Sequence, residues 1–199
     1  MLPSNPPSIN PATHTEAQTV SLFPAAVHEY KAEGRCGLQR PLRLSEIEGN
    51  VEDPNFERLL FAHYQLSGKI PFRAVVPQHR TMWNRIKKGD VALFRNRGGY
   101  WASATVFDKR PLNRLAHATF HENRTDKNEI WDLFCFFEMD WRKISLSNDQ
   151  LSELTGNEYK YRGFTVIHES GAVKNVTRFL NSTLESRQVP SRRGDHSVR

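Results

Sequence analysis

Two short stretches hold residues whose types and spacing could support metal chemistry. His117 and His121 stand four apart in the run His117-Ala118-Thr119-Phe120-His121-Glu122-Asn123, a spacing that puts two imidazoles on one helix face. A zincin places its glutamate between the histidines; here Glu122 follows both, and nothing nearby completes a ligand shell. Two surface histidines flanking an apolar Phe120 are the simpler expectation. Glu138, Asp140 and Lys143 follow an apolar run in the segment 136–143 and could serve a metal-dependent nuclease. That chemistry also needs a carboxylate from before the same strand end, and Asp132, the nearest, lies among apolar neighbours. GxSxG, P-loop and GxGxxG patterns are absent, so acyl transfer, NTP hydrolysis and dinucleotide chemistry lack their usual frames. Neither a metal nor another cofactor is expected.

The stronger pattern is aromatic and basic. Trp83, Tyr100, Trp101, Trp131 and Trp141 are interleaved with Arg80, Arg85, Lys87, Lys88, Arg95, Arg97, Lys109, Arg110 and Arg114. Arginine and lysine hold phosphates, and aromatic rings stack on an exposed or flipped base. Charge is distributed accordingly. Residues 69–114 hold eleven Lys and Arg against two acids, Asp90 and Asp108, whereas the segments on either side are slightly acidic and neutral. One positive segment on an otherwise balanced chain points to a polyanion-binding face, against the plainer reading of a solvated basic surface. For each tryptophan the alternative is core packing, and Trp83, at helical spacing from Ile86, is the clearest core candidate.

The elements that must position these residues alternate in period. Asp53-Pro54 predicts a helix start, and Phe56, Leu59, Leu60 and Tyr64 carry it to about Leu66. Thr81 is expected to cap a short helix that stops at Lys87-Lys88-Gly89. Asp90–Phe94 is a buried strand, Asn96-Arg97-Gly98-Gly99 a turn, and Tyr100–Phe107 the returning strand. Alternation puts Tyr100, Ala102, Ala104 and Val106 on one face, and Trp101, Ser103, Thr105 and Phe107 on the other. The small residues 102 and 104 leave room for a helix or a planar ligand. Then follow a helix at Leu112–Glu122, a central strand at Ile130–Phe137 and a short strand at Ile144–Leu146. A helix capped by Ser147 or Asn148 ends at Gly156; a strand at Phe164–His168 and a last helix at about Gly171–Leu184 close the series. Strands and helices mix without βαβ spacing, which predicts an α+β domain with a small curled sheet.

The 199 residues suffice for one ordinary domain with tails. Hydrophobic residues make up 38%, below the roughly 45–50% of globular chains. Twelve Phe, five Tyr and four Trp are too many for a disordered chain, so the deficit is assigned to the ends. Residues 1–20, with four of the eleven prolines, are expected to form a flexible leader, residues 21–185 the domain, and 186–199 a flexible basic tail. The start has neither the basic residues nor the apolar run of a secretory signal, and no stretch approaches a membrane span. Two cysteines, Cys36 and Cys135, cannot build a disulfide framework. A soluble, cytoplasmic protein is the expectation.

At this point the segment from Trp83 onward resembles the EVE branch of the PUA-like superfamily. Trp83-Asn84-Arg85-Ile86-Lys87-Lys88-Gly89-Asp90-Val91-Ala92-Leu93-Phe94, a glycine turn and Ala102-Ser103-Ala104-Thr105-Val106 are similar to that branch's short helix, Gly-Asp, strand and small-residue return strand. Asn128-Glu129-Ile130-Trp131 before the next strand, Lys143-Ile144-Ser145-Leu146, and Tyr161-Arg162-Gly163-Phe164 near the end most resemble the readers attached to modification-dependent restriction enzymes, relatives of YTH domains. Where those domains carry a first cage tryptophan, this chain has Val75-Val76-Pro77-Gln78-His79. The resemblance covers about residues 70–180. It implies a curled pseudo-barrel that reads a modified base, methylated or hydroxymethylated cytosine or methylated adenine, flipped from DNA into an aromatic pocket. It implies no catalysis, and a separate nuclease or NTPase as effector in a defence system. The alternatives are a PUA-like reader of modified RNA and a nuclease using Glu138, Asp140 and Lys143. Trp131, Trp101 and then Tyr100 are the stacking candidates; Ser103, Gln78, His79 and Asp108 are candidates for the polar edge of the base. Arg80, Arg85, Lys87, Lys88, Arg95, Arg97 and Arg110 would grip phosphates.

Overall fold

One long strand organises the domain, and its two bulges decide which side chains face inward. The structure, a computed structural model, describes residues 17–24, 38, 40–96, 98–120, 130–158 and 163–188, with side chains as far as 183. Arg97, His121, Cys36 and the end of the tail lie outside the described residues. In chain order the elements are β1 (Val20–Phe23), β2 (Leu42–Arg43), α1 (Leu44–Ile47), α2 (Pro54–Tyr64), β3 (Lys69–Ile70), β4 (Phe72–Val75), a 3₁₀ turn (Pro77–His79), α3 (Arg80–Arg85), β5 (Val91–Asn96), β6 (Gly99–Pro111), α4 (Asn113–Phe120), β7 (Leu133–Phe137), β8 (Arg142–Leu146), α5 (Asn148–Thr155), β9 (Thr165–Ile167) and α6 (Ser170–Gln188). The main sheet has the order β4-β7-β6-β5-β1-β9, with β8 also on β6; β2 and β3 form a separate pair. β1 runs parallel to β5, and the other described pairings are antiparallel. The result is the expected α+β arrangement, a curled mixed sheet with helices on its outer faces.

β6 pairs with β5 and β8 along its first half and with β7 along its second. Its register against β5 passes from Phe94↔Ala102 to Arg95↔Tyr100, so Trp101 is one residue too many. Such a bulge reverses the facing of everything beyond it. Trp101 therefore joins Ala102, Ala104 and Val106 on the inner face, and Tyr100 packs with Val20, Leu22 and Leu93 on the outer one. This corrects the simple alternation, which put Tyr100 with the alanines and Trp101 with Ser103. A second shift, from Val106↔Phe137 to Asp108↔Phe136, leaves Phe107 as the extra residue. Parity reverses again, and Lys109 returns to the inner side.

Three apolar clusters result. Inside the curl lie Phe23, Trp83, Phe94, Val106 and Phe137; Phe56, Leu60, Phe72, Leu115 and Phe136 pack under α2 and α4; Val20, Leu93, Leu151, Val173 and Val176 pack under α5 and α6. The central strands are covered on both faces, which is why the run from Leu133 to Phe137 is continuously apolar.

Several termini obey local chemistry. Asp53 Oδ1 accepts from the backbone N–H groups of Asn55 and Phe56, with Pro54 at the first helical position of α2. Ser147 and Gln150 form a capping box for α5, and Gly156 ends it at φ +70°. Other boundaries need correction. α3 starts before Thr81, because Pro77 already opens a 3₁₀ turn that feeds the helix, and it ends at Arg85 rather than at 87–89. The next residues are tied down instead by Asp90, which is buried. Its carboxylate accepts from the N–H groups of Gln18, Thr19 and Lys87 and from the Thr19 hydroxyl, at 2.6–3.0 Å. That bond set draws Ala17–Val20 into the fold, so the flexible leader does not extend to residue 20. At the other end α6 continues to Gln188, past the expected domain limit at 185.

Candidate nucleic-acid interface

The candidate site residues fall at the two ends of β6, not in one place. Trp101 lies near its start. Trp131 lies two residues before Leu133, which pairs with Pro111 at its end. Ten residues of strand separate the two positions, on the order of 30 Å along the chain. They also pack on different clusters, Trp101 on the inner one and Trp131 on the one under α2 and α4. Trp101 and Trp131 therefore cannot be two walls of one cage.

At the far end, beside α3, lie Arg80, Lys109 and Asp132, with Gln78 and His79 in the turn that leads into α3. Trp131, next to Asp132 in the chain, packs on the cluster under α2 and α4, and the Arg110 guanidinium lies 5.0 Å over the Phe56 ring of α2. Gln78, Arg80 and Arg110 are exposed; His79 and Trp131 are half-buried. The His79 ring meets Phe164 edge-on at 5.8 Å, and Trp131 packs on Phe120. Asp132 is only 7% exposed. One of its oxygens lies 3.5 Å from Arg80. The other, Oδ1, is buried and has no hydrogen-bond partner among the described residues. Lys109 donates to the Trp83 carbonyl at 2.6 Å and lies over the Trp83 ring at 4.5 Å. Burial holds its amine below the ordinary lysine value, against the opposing pull of Cys135, Asp90 and Asp108. Burial likewise pushes the Cys135 thiol up to about 12, so this cysteine stays neutral and unreactive.

At the near end, beside the β5–β6 hairpin, Trp101 and Trp141 meet edge to face with centroids 6.2 Å apart. Both are half-buried against the inner cluster, over the small Ala102 and Ala104. Lys143, opposite Ala102 in the register, and Arg95 border the pair.

The remaining candidates are dispersed. Tyr100 is 2% exposed and belongs to the core under α5 and α6, so it is not a pocket residue. Ser103 faces α6, away from Trp101. Asp108 bonds the Lys109 N–H at 2.7 Å and lies 3.8 Å from Arg110. Arg85 contacts His168 at 3.1 Å, and Lys88 sits over Phe107 at 5.1 Å.

The nuclease trio does not converge. Glu138 pairs with His63 at 2.7 Å, while Asp140 bonds the N–H and hydroxyl of Thr105 at 3.2 and 2.7 Å. Among the described residues no three His, Cys, Asp or Glu side chains form a metal-binding group. Among them, too, no helix is long and apolar enough to cross a membrane. Sequence reasoning left Lys109, Asp132 and Trp141 out of the site. The bulge at Phe107, which returns Lys109 to the inner face, has no signature in the chain; the tryptophan two residues after Met139 was visible but had no assigned partner.

A curled mixed sheet with α3 over one mouth and helices outside is the arrangement that the resemblance of the Trp83 segment implied. Among solved structures the chain is similar to the N-terminal domain of Thermococcus gammatolerans McrB bound to m5C DNA, with a TM-score of 0.59 over 83% of this chain and 99% of that one. Sequence identity between the two is 13%, so the likeness is one of fold. No family model matches the sequence, and no curated protein matches it.

Proposed function

We propose that this chain is a nucleic-acid-binding module that reads a modified base in DNA at the α3 end of β6, without catalysis of its own. The carrying observation is the buried Oδ1 of Asp132, which has no partner among the described residues. A desolvated carboxylate oxygen without a donor is costly, and the exocyclic amine of a flipped cytosine or adenine is a donor of the right kind. Trp131 would stack on such a base, and Gln78 and His79 would meet its edge. Arg80, Arg85 and Lys87, all exposed on or just after α3, would hold phosphates, as would Arg110, exposed on the α2 side. The fold is one in which a solved relative is bound to m5C DNA, which supports the reading. A separate nuclease or NTPase would then act on the bound site.

The test is binding to matched duplexes carrying 5-methylcytosine, 5-hydroxymethylcytosine, N6-methyladenine or no modification, with RNA counterparts alongside. Trp131→Ala and Asp132→Asn are expected to remove the preference for modified DNA and to leave weak, salt-sensitive binding. An unchanged modified-to-unmodified ratio in both variants overturns the assignment. Preference for modified RNA over modified DNA moves it to the RNA-reading alternative.

A further inference from the structure

On the outer face of the sheet, away from both ends of β6, a groove of about 890 Å³ runs between β6, β8 and α6. From the structure we infer that this groove is a second site, which takes a phosphate group. Three cations border it: Arg142 from β8, and Lys174 and Arg178, one turn apart on α6. Lys174 is exposed and makes no hydrogen bond or ion pair among the described residues, and neither does Arg178. Arg142 makes one long bond, 3.4 Å, to the Asp140 carbonyl. The one carboxylate in the lining, Asp140, is already engaged by Thr105.

The N-terminus of α6 opens into the same space through Ser170 and Gly171. The first intrahelical bond there runs from Val173 to Glu169, so the N–H groups before Val173 have no helical acceptor. A side-chain carbon at Gly171 would meet no atom within 4 Å, so a ligand has room to approach that backbone. A helix start favours an anion but does not by itself make a site. The independent observation is Ser103. It is 7% exposed, lines the groove, and its hydroxyl makes no hydrogen bond among the described residues. A nearly buried hydroxyl with no partner, beside three cations and free N–H groups, is what an oxyanion with several acceptor atoms would satisfy. The volume exceeds that of a phosphate and lies in the range of small-molecule sites, so the phosphate is one end of a larger ligand. Two sources share that chemistry: a free nucleotide, and the backbone of a bound nucleic acid.

The experiment is calorimetric titration of the full chain, in phosphate-free buffer, with AMP and separately with an unmodified DNA duplex. It compares the wild type, the double variant Lys174→Ala/Arg178→Ala, and Ser103→Ala. The charge-matched control is Arg58→Ala/Lys69→Ala, on the α2 side of the molecule. A loss of AMP affinity of about tenfold or more in the double variant, a few-fold loss in Ser103→Ala and none in the control establish a nucleotide site. If AMP does not bind but duplex affinity falls in the double variant well beyond the control, the phosphate belongs to the nucleic-acid backbone. If AMP does not bind and the duplex is lost equally in variant and control, the site does not exist. Neither probe carries a modified base, so the result is independent of the base-reading assignment at Asp132.

Discussion

The two ends of β6 carry similar residues and arrive at different chemistry. Each offers partly buried tryptophan, a basic border and a mouth of the curled sheet. At the hairpin end, Trp101 and Trp141 satisfy one another edge to face over two alanines. At the α3 end, Trp131 stands beside an Asp132 oxygen that none of the described residues satisfies. Both tryptophans have a ring partner, Trp141 for Trp101 and Phe120 for Trp131, so the distinction lies in the acid: an unpaired buried acceptor is a demand for a ligand. The difference shows that a tryptophan's neighbours, more than its exposure, separate a candidate binding wall from a core edge.

The largest expected effect comes from breaking the α3 end at its root. Asp90→Ala removes the acceptor of four bonds and leaves the Gln18, Thr19 and Lys87 groups without it. A stability loss of about 3–4 kcal/mol is expected, read as a fall in the urea midpoint. A loss under about 1 kcal/mol would mean that the β1 entry is held by packing alone. The matching break at the hairpin end is Gly99→Ala. Gly99 has φ +140°, and an added Cβ would stand 2.5 Å from the Leu146 carbonyl oxygen. The expected loss is about 2–3 kcal/mol, with the β6–β8 pairing as the first contact disturbed; full stability would show that β8 can shift at little cost.

Between the tryptophans the comparison becomes sharper. Trp131→Ala is expected to reduce affinity for the modified duplex about tenfold, some 1.4 kcal/mol, with little change for the unmodified one. Trp101→Ala is expected to lower the melting temperature through lost packing while the folded fraction keeps its discrimination. The reverse pattern would transfer the base site to the hairpin end.

How much of this was legible follows the kind of signal each feature leaves. Asp53-Pro54 and Ser147 with Gln150 announce helix starts by local chemistry, and those boundaries agree with the sequence reading. The Gly89-Asp90 pair was legible as a resemblance, but its physical reason was not, because the partners Gln18 and Thr19 stand some seventy residues away in sequence. β1 and β4 are four residues each and gain their place from pairing with β5 and β7, a tertiary effect that overrides weak local preference. The two bulges were invisible. Each depends on the register of a partner strand, and each reverses which side chains face inward, so Tyr100 and Trp101 were placed on the wrong faces and Lys109 was left out of the site.

The smallest effect tests whether both ends touch one nucleic acid. A turn of duplex is about 34 Å long, close to the strand length between Trp101 and Trp131, so a single duplex could lie along both mouths. Arg95 is the next-to-last residue of β5, and Arg97 stands two residues after it in the sequence. Replacing both with alanine is expected to weaken modified and unmodified duplex binding equally. The slope of log affinity against log salt should flatten by up to about two phosphates' worth. Discrimination should not change, because backbone contacts carry no base information. An unaltered salt slope would confine the interface to the α3 end, leaving Trp101 and Trp141 as the packed rim of the inner core.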